Sequence, residues 1–96
     1  MNKEKNILME RTSVYKLIDD ERTYQDTTRR QNEDETREDH EKSVAEFLLY
    51  IEFTLKKAKR SVYELNDKEA MSYVRKIAGL AVAAMEVFET PERRLF

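Results

Sequence analysis

Two arms of the chain decide its fold, and they read SVAEFLLYIEFTLKKAKRSVYEL over residues 43–65 and DKEAMSYVRKIAGLAVAAMEVFE over residues 67–89. In the first arm, apolar residues recur at alternating steps of three and four, which draws one stripe along a helix. The second arm carries a similar stripe, widened by small residues. The sequence therefore predicts two long helices, over 43–65 and 67–89, that fold back on each other as a hairpin.

Local signals support these boundaries. Ser43 followed by Glu46 predicts a capping box at the start of the first arm. Asn66 and Asp67, with Glu69 three residues after Asn66, predict that one helix ends there and the next is capped. The Thr90-Pro91 pair predicts the end of the second helix and leaves a short tail over 90–96.

The second arm is apolar on all sides from residue 77 to residue 85 and rich in small residues. A helix of this kind is expected at the centre of a bundle. Gly79 costs about 1 kcal/mol relative to Ala inside a helix, so we expect close packing at that position.

Upstream of the hairpin, a narrower apolar stripe predicts a peripheral helix over residues 7–26, capped by Thr12 or Ser13. Residues 25–42 contain no apolar side chain and seven acidic residues against four basic ones. We interpret 27–42 as an acidic connector that forms a loop with helical ends, the alternative being a solvated helical extension. His40 lies there between Asp39 and Glu41; these three could suggest a metal site, but a solvated connector is the interpretation adopted, and no metal is predicted.

Composition limits the fold and the class of function. The chain has 96 residues, one Gly, one Pro, no Cys and 40% charged residues, which favours one all-α domain over residues 1–96. A net charge of −2 predicts no general nucleic-acid binding. The N-terminus lacks the apolar core of a signal peptide and no apolar run could span a bilayer, so we expect a cytoplasmic protein without a membrane partner.

The apolar surface of the hairpin exceeds what three helices of one chain can cover. Leu49 and Phe53 lie off the main stripe, so the first arm is apolar on two sides. We therefore expect a homo-oligomer whose core is of the four-helix-bundle type, built from two hairpins.

A local basic patch is the strongest hint of a ligand. Residues 56–76 contain seven basic and three acidic residues in an otherwise acidic chain. If the hairpin turns at 66–67, the basic residues of the two arms lie level with each other, with tyrosines nearby that could stack a base. The predicted ligand-binding residues of this patch are Lys56, Lys59, Arg60, Tyr63, Tyr73, Arg75 and Lys76. The alternative is a solvated face in which Glu52 pairs with Lys56 and Glu64 with Lys68.

Chemistry based on carboxylates is supported less well. Hydrolysis of a nucleotide with Mg²⁺ needs several carboxylates on facing helices. Glu46 and Glu52 lie on different faces of their helix, whereas Glu86 and Glu89 share a face near the end of theirs. No catalytic residue is predicted, and Mg²⁺ would be a cofactor only if these four acids formed an active site.

Three segments of the chain resemble small MazG-like proteins of phages and prophages. The segments read DERTYQD over 20–26, FLLYIE over 47–52 and RKIAGLAVAAME over 75–86. The resemblance implies an all-α relative of the nucleotide pyrophosphohydrolases, and it adds Arg22 and Gln25 as ligand-binding candidates. Lys56 and Lys57 stand where that family's metal motif would place further carboxylates.

The function expected from the patch and the resemblance is non-catalytic binding of an anionic nucleotide, with the possible use of sequestering a nucleotide signal of host defence in the host cytoplasm. One alternative is a Mg²⁺-dependent nucleotide pyrophosphohydrolase that uses Glu46, Glu52, Glu86 and Glu89. Another is a structural or protein-binding helical module that takes no small molecule.

Overall fold

The computed structural model describes residues 8–31 and 41–93, without the side chains of residues 29–31. It contains three helices in these ranges, α1 (Arg11–Gln31), α2 (Val44–Tyr63) and α3 (Asp67–Val87). The described residues contain no strand, so the all-α prediction is confirmed for them. Ile7, the segment 32–40 and the pair Leu95-Phe96, on which some sequence predictions fall, lie outside the described residues.

The predicted capping box opens α2. The Ser43 hydroxyl accepts a hydrogen bond from the Glu46 backbone N–H at 3.1 Å, and the Glu46 carboxylate accepts one from the Ser43 N–H at 3.0 Å. Two backbone donors that the helix itself cannot satisfy are thereby paired. The first helix of the hairpin is fixed at its start by local sequence alone.

The turn between α2 and α3 closes through a residue in the left-handed region. Leu65 has φ 63°, and its N–H donates to the Val62 carbonyl while the Asn66 N–H donates to the Ser61 carbonyl. This pair of bonds is the Schellman motif, in which glycine usually takes the left-handed position. The Asn66 side chain then accepts from the Glu69 N–H at 3.0 Å and caps α3, as predicted.

The far end of α3 differs from the sequence prediction by a short distance. The helix ends at Val87, and Phe88 is already extended. The Phe88 ring packs edge-on against Phe47 with 6.2 Å between the ring centroids. This contact joins the end of α3 to the start of α2. The helix is therefore two residues shorter than the predicted range of 67–89.

The first helix begins later and ends later than the range 7–26. The Val14 N–H already donates to the Glu10 carbonyl, so Thr12 and Ser13 lie inside the first turn and the predicted cap at these residues is wrong. At its other end α1 runs to Gln31, into the stretch without apolar residues. Residues 27–31 of the connector are therefore helical, which both alternatives for this segment allow, and its middle part, 32–40, lies outside the described residues.

Helix α3 is the central helix. It packs against both α1 and α2, whereas the described parts of α1 and α2 have no Cα atoms within 8 Å of each other. The buried apolar residues are few and mostly small: Phe47 and Ala58 in α2, Ala70 and Ala83 in α3. This central place agrees with the prediction drawn from the small residues of 77–85. None of the helices in the described ranges combines the length and the hydropathy needed to cross a bilayer.

Candidate ligand-binding pocket

A pocket of about 720 Å³ lies where α1, the start of α2 and α3 meet. Because α1 and α2 both pack on α3 and have no Cα atoms within 8 Å of each other in their described parts, a groove remains between them. Leu80 and Ala83 of α3 form part of its lining, together with Leu17 of α1. The volume falls in the range of about 300–1,000 Å³ that is typical of small-molecule sites.

Aromatic side chains come to this pocket from all three helices. Tyr24 lies on α1, Phe47 and Tyr50 on α2, and Tyr73 on α3. Tyr24 is 65% exposed, whereas Phe47 is 1% exposed and also belongs to the hairpin core. The pocket therefore offers several ring faces against which a planar ligand could stack.

Three basic residues line the same pocket. Lys42, which is 7% exposed, places its Nζ 5.4 Å from the Tyr50 ring centroid and 6.0 Å from that of Phe47. These distances are those of cation–π contacts. Lys76 and Arg75 reach the pocket from α3, and both residues are exposed.

Polar side chains join α1 to α3 along the pocket. The buried Glu21 carboxylate accepts from Arg75 Nε at 2.9 Å and from Gln25 Nε2 at 3.1 Å. Gln25 Nε2 also donates to the Lys76 carbonyl at 3.2 Å. Gln25 Oε1 is buried and, in the described part of the chain, has no hydrogen-bond partner. The opposite amide orientation would face Oε1 towards two acceptors, so the bonds made by Nε2 fix the side chain as it stands.

A second ion pair lies further along the same helices. Arg22 donates through Nε and Nη2 to the two oxygens of Glu86 at 3.0 Å and 2.9 Å, and through Nη1 to Asp26 at 3.3 Å. The hydrogen bond to Glu86 and the nearby Asp26 charge raise the pKa of Arg22 above its ordinary value, although burial acts in the opposite direction. A two-point guanidinium–carboxylate contact of this kind fixes orientation as well as distance.

Gly79 makes the close approach of α1 possible. A Cβ atom built on Gly79 would lie 2.8 Å from Glu21 Cγ and 2.8 Å from Gln25 Nε2. The prediction of close packing at this glycine is therefore confirmed. Its neighbours are the two residues that hold α1 against α3, so the glycine belongs to this contact and not to the hairpin.

The structure separates the predicted ligand-binding residues into groups. Gln25, Tyr73, Arg75 and Lys76 line the pocket. Arg22 lies next to it, buried in its ion pairs. The remaining four, Lys56, Lys59, Arg60 and Tyr63, are exposed residues of α2 outside the pocket lining.

The separation follows from helix geometry. Phe47, Thr54 and Ala58 are buried in α2 and mark the side that faces α3. At 3.6 residues per turn, Lys56 and Arg60 then point away from α3. The level positions of the basic residues in the two arms suggest one continuous basic patch. The structure does not contain this patch, because the basic residues of α2 lie on the side away from α3. Arg60 Nε lies 3.6 Å from the Glu64 carboxylate, in an exposed pair that contributes little.

Sequence reasoning missed Lys42, Tyr24, Tyr50 and Glu21 as pocket residues. By sequence Lys42 belongs to the acidic connector, and Glu21 belongs to the segment that carries the family resemblance, without a predicted role. One sequence signal for these pocket residues is the i, i+4 spacing of Glu21 with Gln25 and of Arg22 with Asp26 on α1. That spacing shows which polar groups share a face, but it does not show which helix they meet.

The metal interpretation of residues 39–41 is not tested, because His40 and Asp39 lie outside the described residues. In the described ranges, no three His, Cys, Asp or Glu residues are grouped as a metal site would need.

Comparison of the chain with protein-family models, with curated proteins and with solved structures returned no match. The resemblance to MazG-like proteins therefore stays a prediction from the sequence.

Proposed function

We propose that this protein binds an anionic nucleotide in the pocket between α1, α2 and α3, without turning it over, and that it does so as a homo-oligomer. The observation that carries the proposal is the meeting of basic and aromatic side chains at one pocket. The pocket is lined by four of the residues that the sequence predicts to bind a ligand, Gln25, Tyr73, Arg75 and Lys76.

The chemistry of the lining matches the parts of a nucleotide. The Lys76 ammonium offers three donors to phosphate oxygens. The half-exposed Arg75 guanidinium contacts Glu21 through Nε, and a guanidinium carries four further N–H donors. Tyr24, Tyr50 and Tyr73 offer faces for a base. A ligand with a charged end and a flat apolar end would use both kinds of wall at once.

Binding without turnover suits a protein that sequesters its ligand. In a phage setting, one use for such a protein is to withdraw a nucleotide signal of host defence from the host cytoplasm. The ion pairs that hold α1 in place would then keep the pocket formed, which reduces the entropic cost of binding.

The Mg²⁺-dependent pyrophosphohydrolase is the first alternative, and the geometry supports it less. Of its four candidate acids, Glu46 is part of the capping box and Glu86 binds Arg22. Glu52 lies beside Leu48 and Leu49 in a separate, shallow groove on α2. An active site built from these acids would require that their present contacts break.

A protein-binding module is the second alternative, and the exposed apolar side chains of α2 favour it. Leu49 and Phe53 are 61% and 64% exposed on this helix. Self-association of two α2–α3 hairpins into a core of the four-helix-bundle type is supported by other exposed apolar side chains, among them Leu48 and Leu55 of α2 and Met71 of α3.

A thermal-shift screen against mono-, di- and cyclic nucleotides, each with and without Mg²⁺, tests the ligand. A nucleotide at a hundred times its Kd stabilises the folded protein by about 2.7 kcal/mol. A shift that is independent of Mg²⁺ is the expected result. A shift that requires Mg²⁺, together with pyrophosphate release, would favour the enzyme, and no shift with any nucleotide would favour the protein-binding module.

Charge variants locate the site. Lys76→Glu reverses one charge of the pocket lining and leaves the Glu21–Arg75 pair in place, so we expect at least a tenfold loss of affinity, which corresponds to about 1.4 kcal/mol. Lys68→Glu is the matched control on the same helix, outside the pocket lining. If the double variant Lys59→Ala/Arg60→Ala lost affinity and Lys76→Glu did not, the site would lie on the outer side of α2.

A further inference from the structure

The face of the α2–α3 hairpin that points away from the pocket is apolar and uncovered. We name it the hairpin face and define it by seven large side chains, each between 43% and 61% exposed. They are Val44, Leu48, Leu55 and Val62 of α2 and Met71, Val74 and Met85 of α3. Smaller or half-buried residues, among them Ile51, Ala78 and Ala81, fill the space between them.

Helix geometry places these residues on one side. The buried residues of α2, such as Ala58, point towards α3, and the row through Leu48 and Leu55 lies about a quarter turn away from them. On the antiparallel α3, the row through Met71 and Met85 lies at a similar angle from the side of α3 that faces α2. Tyr50 and Tyr73 of the pocket are displaced in the opposite sense on both helices. The pocket and the hairpin face therefore occupy opposite sides of the same helix pair.

Charged side chains border the hairpin face but do not enter its centre. The seven side chains and the smaller residues between them are all uncharged. Glu52 and Lys59 border the face on α2, and Arg75 borders it on α3, according to the same helix geometry. An apolar centre with a charged rim is typical of surfaces that pack against another protein.

We propose that a second copy of this chain covers the hairpin face, with α2 of each copy lying over α3 of the other. The proposal rests on the self-association part of the proposed function, and it does not depend on a ligand. The exposed apolar surface is on the order of 700 Å² per copy, close to the roughly 800 Å² that each partner buries in a stable interface.

The shapes of the two helices explain why α2 lies over α3 of the partner and not over its α2. On this face α2 presents a ridge of leucine and valine, whereas the middle of α3 presents Ala78 and Ala81 as a shallow groove. In an interface with twofold symmetry each contact occurs twice, so both ridges find a groove. A leucine row against a leucine row would leave both grooves empty, and unfilled space at a core is unfavourable.

The hairpin also determines which residues of the two copies meet along the helix axes. Within one chain, Ser61 bonds Glu69 and Phe47 packs on Phe88, so Leu55 lies level with residues near Ala78. A twofold axis parallel to the helices keeps that level, and it places Leu55 of one copy over Ala78 of the other. Both pockets of such a dimer then face outwards and stay open to solvent.

Cysteine cross-linking tests this arrangement, because the natural chain contains no cysteine. The single variants Leu55→Cys and Ala78→Cys, one of them with a mass tag, are mixed, allowed to exchange and oxidised. A disulfide needs Cα atoms about 4.4–6.8 Å apart, so a tagged–untagged covalent dimer is the expected product. Phe53→Cys mixed with Ala78→Cys is the matched control, because Phe53 does not belong to the hairpin face, and it should give no cross-link.

The outcomes separate the two proposals. A monomeric mass for the natural protein by light scattering at micromolar concentration would overturn self-association itself. A dimeric mass with Leu55→Cys cross-linking only to itself would preserve self-association and overturn the α2-over-α3 arrangement. A dimeric mass without any cross-link from Leu55 or Ala78 would move the interface to another surface.

A charge variant gives a second, independent measurement. Leu55→Lys should convert the dimer to a monomer at micromolar concentration and retain the helical circular dichroism of the natural protein, whereas Phe53→Lys should leave the mass unchanged. If Leu55→Lys remained dimeric, the hairpin face would not be the interface.

Discussion

Helix α3 is held on two sides by contacts of opposite character. Towards α2 the contact consists of Phe47, small residues such as Ala58, and two buried hydroxyls. The Ser61 hydroxyl donates to Glu69 at 2.7 Å, and the Thr54 hydroxyl donates to the Tyr50 carbonyl at 2.8 Å. Towards α1 the contact consists of the ion pairs Glu21–Arg75 and Arg22–Glu86 and of the Gln25 amide. Glu21 and Gln25 lie close to Gly79.

The difference shows that the hairpin and the α1 contact depend on different forces. Apolar burial holds the hairpin, and its strength follows the apolar area removed from water. Ion pairs with one buried and one half-exposed partner hold α1, and their strength depends on geometry and on the hydration that each ion loses. Since α1 supplies one wall of the pocket, the shape of the pocket depends on the ion pairs between α1 and α3 and not only on the apolar contact of the hairpin.

The largest expected effect comes from removing the apolar anchor of the hairpin. Phe47→Ala should lower the free energy of unfolding by about 3–5 kcal/mol, because Phe47 is 1% exposed and packs against Phe88. Chemical denaturation measures the loss. Phe53→Ala is the control, since its ring is mostly exposed, and it should cost less than about 1 kcal/mol. Equal losses for the two variants would mean that the apolar side is not anchored at Phe47.

The next effect comes from breaking the ion pair on the other side. Arg22→Ala should cost about 2 kcal/mol, less than for a fully buried pair, because the Glu86 side chain is 52% exposed and can regain water. Hydrogen exchange should become faster in α1 and stay unchanged in the hairpin. Lys16→Ala is the control, since its pair with Asp20 is exposed, and it should cost less than about 0.5 kcal/mol. Faster exchange throughout α2 would show that the two contacts are not separable.

Gly79→Ala sets helix propensity against the close contact with α1. Alanine favours the helix by about 1 kcal/mol, but its Cβ would meet Glu21 and Gln25 at 2.8 Å, where hydrogen bonds hold both side chains in place. We expect α1 to open more easily by about 1–2 kcal/mol, measured by hydrogen exchange.

Gln25→Ala/Gly79→Ala provides the comparison for that variant. Truncation of Gln25 removes one of the two close contacts and also the buried oxygen without a partner. The double variant should therefore lose less than the sum of the two single losses. Strict additivity would show that the glycine and the glutamine do not interact.

The smallest expected effect strengthens the hairpin and leaves α1 as it is. Leu65→Gly should stabilise the protein by about 1 kcal/mol, because Leu65 holds φ 63° and is 93% exposed, so little packing is lost. Denaturant midpoints measure the gain, and exchange in α1 should not change. Glu64→Gly, at a residue with φ −90°, is the control and should destabilise. A loss of stability in Leu65→Gly would mean that the leucine side chain has a role at the turn.

Much of the hairpin could be predicted because its signals are local. The capping box at Ser43 and the cap at Asn66 each depend on residues within three positions. The pocket could not be predicted in this way. It depends on where α1 docks, and α1 docks through polar residues, whereas Leu17 and Tyr24 of its apolar stripe remain exposed.

The sequence by itself determined the two helices of the hairpin, the central place of α3 and the need for close packing at Gly79, because spacing, caps and residue size act through neighbours in the chain. Only the tertiary structure decided that Glu21 and Arg22 are buried and pair with Arg75 and Glu86 of α3. It also decided that Lys42 joins the pocket and that the basic residues of α2 point away from it. These facts depend on the rotation of each helix about its own axis. That rotation is fixed by contacts between residues up to 64 positions apart, as for Arg22 and Glu86, and no local pattern encodes it.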